Sequence, residues 1–149
     1  MSFIPRLVAT GLYVGYAPVA PGTAGSVLGV LLYWLIPKSE SLYFAIVILL
    51  LFFVGTWAAS YVEKTTKIKD NQVIVIDEIV GVLITLFCFD KNLKWLAIGC
   101  ILFRLFDIVK PYPANVVERL PNGWGVMADD VVAGIYSAIC LRLLFLIFN

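Results

Sequence analysis

Leu42 to Val62 is a run of twenty-one residues without a charged side chain. As a helix rising about 1.5 Å per residue it covers roughly 30 Å, the thickness of a bilayer's hydrocarbon core. The competing use of such a run, the buried helix of a soluble core, sits poorly with the rest of the chain, in which 62% of residues are apolar and 14% are charged. Further apolar runs follow the same pattern: Ala24–Ile36, Ile79–Phe89, Trp95–Phe103, and Val131–Phe148 with Arg142 as its one charge. Extended to their flanking charges they predict an all-α integral membrane bundle of about five spanning or partly spanning helices. The third, drawn from Asp77 to Asp90, reaches only about 20 Å and needs shelter from its neighbours. Leu7–Tyr16, interrupted by Gly11 and Gly15, reads as a short N-terminal interfacial helix; with Arg6 as its only charged lead and Pro18 and Pro21 behind it, it does not resemble a removable signal.

Helix punctuation fits one domain over residues 1–149, without repeats or linkers. Pro37, Ser39 and Ser41 separate the first two spans, and Asn92 is placed to cap the fourth. Pro111 and Pro113 stop that helix before a short segment, Ala114–Leu120. Pro121, Asn122, Gly123 and Gly125 form a turn from which the fifth helix leaves at Asp130. Val73–Ile76 is β-branched and extended in character but too short for a sheet. Alternating the five spans gathers Arg6, Lys64, Lys67, Lys69, Lys110 and Arg119 on one side, against Lys38, Lys91 and Lys94 on the other, so the positive-inside rule makes the first side cytoplasmic.

Composition narrows the chemistry. Eleven Lys plus Arg against ten Asp plus Glu give no pull towards nucleic acid. There is no histidine, and Cys88, Cys100 and Cys140 are too far apart for a zinc site or a disulfide framework. Carboxylates, hydroxyls and cations remain. Asp77, Glu78, Arg104, Asp107, Lys110, Asp129 and Asp130 stand at the margins of apolar segments, where charges are costly unless they face a polar interior. Arg104, Asp107 and Lys110 recur every three residues and share a helix face. The alternating topology brings them to the same membrane side as Asp77–Glu78 and Asp129–Asp130. An interhelical ion-pair network accounts for Arg104 and Asp107 alone, but two consecutive acid pairs repel unless protons or a cation neutralise them. With oxygen donors only, Mg²⁺ is the favoured cation, since it commonly joins one or two carboxylates to a substrate phosphate.

Pro21-Gly22-Thr23-Ala24-Gly25-Ser26 supports two uses. Thr23 or Ser26 can cap a helix whose free amides favour a phosphate, or Gly25 and Gly29 can pack against a neighbouring helix. The segment lacks the Gly-Lys-Ser/Thr ending of a nucleotide P-loop.

Four blocks in order, Pro21–Ser26, Asp77-Glu78-Ile79-Val80-Gly81, Phe103–Pro113 (FRLFDIVKPYP) and Asp129-Asp130-Val131-Val132-Ala133-Gly134, together resemble the bacterial phosphatidylglycerophosphatase A family. The resemblance implies a multi-pass enzyme of the bacterial inner membrane whose active site lies at the cytoplasmic face. It implies Mg²⁺-dependent hydrolysis of phosphatidylglycerophosphate, an anionic phospholipid, to phosphatidylglycerol and inorganic phosphate. It maps the acidic metal site onto Asp77, Glu78, Asp107, Asp129 and Asp130, with Arg104 and Lys110 as cationic partners. Asn122 and Glu118 depart from the family's usual glycine and aspartate, and Asn tolerates a left-handed turn.

A mechanism consistent with these residues places Asp107, Arg104, Lys110 and Asp130 at the reaction and gives Gly22, Thr23, Gly25, Ser26, Arg104 and Lys110 to the substrate. Asp107 serves as a further ligand or as general base. Direct attack by water is preferred because the usual covalent nucleophile arrangements are missing. Lys64, Lys67 and Lys69 either draw anionic lipid or only set topology, and Tyr112 and Trp124 are headgroup contacts or interfacial anchors. No protein partner is expected. The alternatives are another metal-dependent lipid enzyme, such as a phosphatidyltransferase, and an ion or metal transporter; a transporter would place the acids near the bilayer midpoint rather than at its rim.

Overall fold

The computed structural model describes residues 3–37, 41–87 and 89–148. Lys38, Ser39 and Cys88 lie outside the described residues. The chain runs α1 (Phe3–Ala9), a 3-10 turn (Val14–Tyr16), α2 (Pro21–Leu35), α3 (Ser41–Thr66), α4 (Ile76–Thr85), α5 (Leu93–Val109), α6 (Ala114–Val117) and α7 (Gly123–Phe148). Among the described residues there is no strand; Val73–Val75 is an irregular approach to α4.

Among the described residues two helices, not five, are long and apolar enough to cross a bilayer unaided: Leu42–Thr66 and Gly123–Phe148, with mean hydropathies of 2.4 and 2.3. Only 28% and 22% of their most apolar stretches are buried inside the molecule, whereas the core helix of a soluble protein would be mostly buried. Their outward faces carry Leu49, Phe53, Leu143 and Leu146, all exposed. This is a membrane-associated all-α bundle. The remaining apolar runs make shorter helices: α4 stops at Thr85 and turns at Leu86–Phe87, well before Asp90.

Short α4 is the centre. Ile79, Val80, Val82 and Leu83 are all at most 2% exposed, and the helix packs on α2, α3, α5 and α7. Glycine makes its contact with α7 close. A Cβ on Gly81 would overlap the Phe103 ring and lie 3.0 Å from the Asp130 carbonyl oxygen; one on Gly134 would lie 2.6 Å from the Gly81 carbonyl oxygen. Thr85 Oγ1 donates to the Gly81 carbonyl at 2.9 Å in the same crossing. Small residues at such contacts let helix backbones approach, which is how bundles without a hydrophobic driving force between helices gain packing energy.

Three boundaries differ from those predicted. α7 starts at Gly123, so Asp129 and Asp130 lie inside the helix rather than at its beginning. The glycines that suggested a turn are required by close packing instead: a Cβ on Gly123 would press on the Thr56 carbonyl and the Ser60 amide of α3, and Asn122 alone supplies the left-handed residue, at φ 56°. At the amino terminus the helix ends at Ala9, and Gly11, Leu12 and Tyr13 take positive φ before the 3-10 turn. α2 starts from Ala20 with no side-chain cap, so neither Thr23 nor Ser26 caps it; Ser26 Oγ donates to the Gly22 carbonyl within the helix. Asn92 does cap α5, its Oδ1 accepting from the Lys94 amide at 3.0 Å.

Gly134→Val should lower stability by about 1–3 kcal/mol through overpacking at the α4–α7 crossing. Thermal unfolding in detergent should show this as a lowered midpoint, while Leu49→Ala on the outward face of α3 should leave the midpoint nearly unchanged. Equal effects would contradict the packing described.

Candidate active site

Five segments converge on one cavity of about 490 Å³. The start of α2 contributes Pro21 and Gly22, the loop before α4 contributes Asp70, Gln72 and Ile74, and α4 contributes Asp77 and Glu78 in its first turn. The carboxyl-terminal part of α5 contributes Arg104, Asp107 and its C-cap Lys110, and α7 contributes Asp129 and Asp130. All seven charged residues singled out in the sequence therefore meet in one cavity.

Asp77, Glu78 and Asp130 each present a carboxylate oxygen such that the three atoms lie within 4.8 Å of one another. Asp77 and Asp130 are 7% and 3% exposed. Asp77 Oδ1, Glu78 Oε2 and Asp130 Oδ2 are buried without a hydrogen-bond partner, one oxygen from each member of the trio. Buried polar atoms are normally paired, and three clustered acids that each keep an oxygen without a partner make a cradle for a cation. The donor set is all oxygen, which suits a hard divalent ion.

The surrounding charges are already committed. Arg104 Nη1 donates to Asp107 Oδ2 at 2.5 Å and stands 3.6 Å from Glu78 Oε1. Lys110 Nζ bridges Asp129 Oδ2 at 2.7 Å and Glu118 Oε1 at 2.9 Å. Burial pulls the Lys110 ammonium towards losing its proton, but the bonds to Asp129 and Glu118 outweigh this and raise its pKa above the ordinary lysine value. What the charged form adds to stability is therefore complete below the ordinary lysine range and lost only in strong alkali. Asp129 Oδ1 also accepts the Asp130 amide at 3.0 Å, so both oxygens of Asp129 are engaged, unlike those of the trio.

Of the two uses of the Pro21–Ser26 segment, helix packing at Gly25 and Gly29 is present, against Val75 and Val82 of the α4 region. Gly22 lines the cavity, where a Cβ would collide with Glu78 Oε1 and come within 2.9 Å of Arg104 Nη1. Ala24 N–H already bonds to the Ala20 carbonyl, which leaves the Gly22 and Thr23 amides as first-turn groups outside the helical ladder. Thr23's side chain is exposed, Gly25 packs on Val75, and Ser26 is buried within the helix packing; none of the three lines the cavity. Lys64, Lys67 and Lys69 are exposed beyond it. Tyr112 is 75% exposed, and Trp124 packs edge-on against Phe52 and Phe53 away from the acids. Asp70 and Gln72 were missed by sequence reasoning: they follow the three lysines in a stretch read for its positive charge.

The sequence profile of the phosphatidylglycerophosphatase A family matches residues 7–145. The chain belongs to the phosphatidylglycerophosphatase A family. It is 38% identical over 140 residues to phosphatidylglycerophosphatase A of Haemophilus influenzae, covering 90% of this chain and 84% of that one. It is 34% identical over 135 residues to phosphatidylglycerophosphatase A of Escherichia coli K12, covering 89% and 78%. A Bacteroides thetaiotaomicron protein, named provisionally as a phosphatidylinositol-3-phosphatase, is 41% identical over 148 residues, covering 94% and 92%. No solved structure matches the chain. As a member of the phosphatidylglycerophosphatase A family the chain is a phosphatase-type hydrolase, and the converging acids line one polar cavity.

A divalent cation that binds only the folded chain should raise its unfolding free energy, by about 2.7 kcal/mol at a hundredfold excess over the dissociation constant. Asp130→Asn and Glu78→Gln should abolish that increment, and without cation should be at least as stable as the parent, because each relieves repulsion within the trio. Differential scanning calorimetry with and without Mn²⁺ or Mg²⁺ checks both signs.

Proposed function

We propose that this chain is a Mg²⁺-dependent phosphatidylglycerophosphatase, hydrolysing the terminal phosphomonoester of phosphatidylglycerophosphate to phosphatidylglycerol and inorganic phosphate. The observation that carries the reading is the trio Asp77, Glu78 and Asp130, with its three unpartnered oxygens, sharing a cavity with Arg104 and with Gly22 at the start of α2. The trio would hold the ion, with Asp107 near enough to line the same space. Mg²⁺ in such a site supplies charge neutralisation and Lewis acidity to a phosphate ester.

The chain's own groups divide the remaining work. Arg104 offsets negative charge on the phosphoryl oxygens, and the Gly22 and Thr23 amides add donors at a helix amino terminus. Asp107, oriented by Arg104, takes the proton of the attacking water. The water oxygen bonds to phosphorus, the bond from phosphorus to the glycerol oxygen breaks, and the proton returns to the departing alcohol. Lys110 holds Asp129 and thereby the turn of α7 that presents Asp130; this makes it a positioning residue as well as a source of positive potential.

We further assign the chain to a bacterial inner membrane with the cavity at the cytoplasmic rim and with α2, α4 and α5 partly inserted beside the two long helices. The acids stand at the start of α4, the end of α5 and the early turns of α7, which fits a rim better than a transport path through the bilayer midpoint. Acyl chains would then stay in the membrane while the headgroup reaches the carboxylates.

Purified protein in mixed micelles should release phosphate from phosphatidylglycerophosphate with Mg²⁺, yield phosphatidylglycerol, and stop on chelation. Glu78→Ala and Asp130→Ala, still folded, should lose about 10²-fold or more in kcat. Full activity in both would refute the site, and faster turnover of phosphatidylinositol 3-phosphate would reassign the substrate. Phosphate trapped on Asp107 or Asp130 after acid quench would replace direct water attack by a covalent route.

A further inference from the structure

The loop between α3 and α4 lies at the cavity mouth and is built rather than slack. Lys67 N–H donates to the Glu63 carbonyl at 2.8 Å, and Lys67 and Asp70 both take left-handed backbone, at φ 58° and 50°. Glu63, 8% exposed, turns its Oε1 onto the Asp70 amide at 2.8 Å. Beyond it, Asn71 Oδ1 accepts the Val73 amide at 3.2 Å, and Val75 N–H reaches the Ala9 carbonyl at 2.9 Å. The result is that Asp70 and Gln72, both exposed, line the same cavity as the acidic trio. Among the described residues neither side chain has a hydrogen-bond partner.

A carboxylate at this place is electrostatically wrong for phosphate, since it adds a negative charge to a cavity meant for an anion. Ionised Asp is acceptor-only, so it rewards a hydrogen-bond donor, and on a polyol headgroup whose other groups are phosphates that donor is a hydroxyl. Gln72 beside it offers both a donor and an acceptor. We infer that Asp70, with Gln72, recognises a free hydroxyl on the alcohol that carries the scissile phosphate, and so sets preference for polyol phosphates over a lipid whose phosphate-bearing glycerol has none. Glu63 is the positioning residue for this contact. The inference rests on the phosphatase reading above and names how that site selects its headgroup.

The test compares phosphatidylglycerophosphate, whose terminal glycerol keeps a hydroxyl next to the phosphate, with phosphatidic acid, whose acylated glycerol has none. The parent chain should prefer the former. Asp70→Ala should lower kcat/KM for phosphatidylglycerophosphate about tenfold, mainly through KM, because a site built to bond a hydroxyl discriminates by that contact. Turnover of phosphatidic acid should stay the same or rise, which also reports that the variant is folded. Gln72→Ala should move in the same direction by less. Glu63→Gln, which retains an acceptor for the Asp70 amide, should match the parent, and Glu63→Leu should reproduce the selectivity loss of Asp70→Ala. Equal losses on both lipids, no loss on either, or a parent without preference would overturn the inference. A parent that cleaves neither lipid overturns the phosphatase reading, and this inference with it.

Discussion

Three buried carboxyl groups held within 4.8 Å of one another, whose charge protons or a cation must neutralise, are the constraint around which the cavity is organised. Were they ionised together, each pair of charges at separations up to 4.8 Å would cost on the order of 3 kcal/mol at an effective dielectric of about 20. Asp77 and Glu78 gain from the amino-terminal dipole of α4, but such gains run to about 0.3–1 kcal/mol. Arg104 answers Glu78 only at 3.6 Å and is spent chiefly on Asp107. Helix packing therefore fixes the three acids side by side, and protons or a cation must offset the charge they would carry together. The close crossing of α4 and α7 at Gly81 and Gly134 supplies that packing, with the Asp130 carbonyl itself against Gly81. Affinity for a cation is thus stored in packing that is complete without one.

The same arrangement explains the division of charged residues inside the cavity. Asp129, next in sequence to Asp130, spends both oxygens on Lys110 and a backbone amide, while Asp130 keeps an oxygen open. Adjacent residues on a helix point about 100° apart, so one acid of the pair faces α5 and the other faces α4. Gly22 completes the wall: any side chain there would fill the space between Glu78 and Arg104. The two long helices expose broad apolar faces, and the polar cavity is set by α2, α4 and α5 together with the early turns of α7.

Much of this was legible in the sequence because charge is so scarce there. Seven charged residues at the margins of apolar runs, together with alternating helix directions, sufficed to bring Asp77, Glu78, Arg104, Asp107, Lys110, Asp129 and Asp130 to one place. Helix boundaries were less legible where glycine had two meanings. Gly123 and Gly125 suggested a turn, yet they serve close contact with α3 and with the α6–α7 connection, which moves the start of α7 ahead of its acids. Hydropathy alone also does not separate a helix long enough to span from a short buried one: α4 is apolar because protein packs around it, not because it is long. Asp70 and Gln72 carried no periodic or motif signal; what brings them to the cavity is a tertiary contact, Glu63 to the Asp70 amide, seven residues apart.

The central claim is that Asp77, Glu78 and Asp130 share one cation. Anomalous diffraction from crystals of the protein grown with Mn²⁺ measures this most directly. The account predicts a single strong peak at bonding distance from one oxygen of each of the three side chains, absent in Asp130→Asn crystals. A manganese ion bound elsewhere, or acids of α4 and α7 turned to separate surfaces, would contradict it.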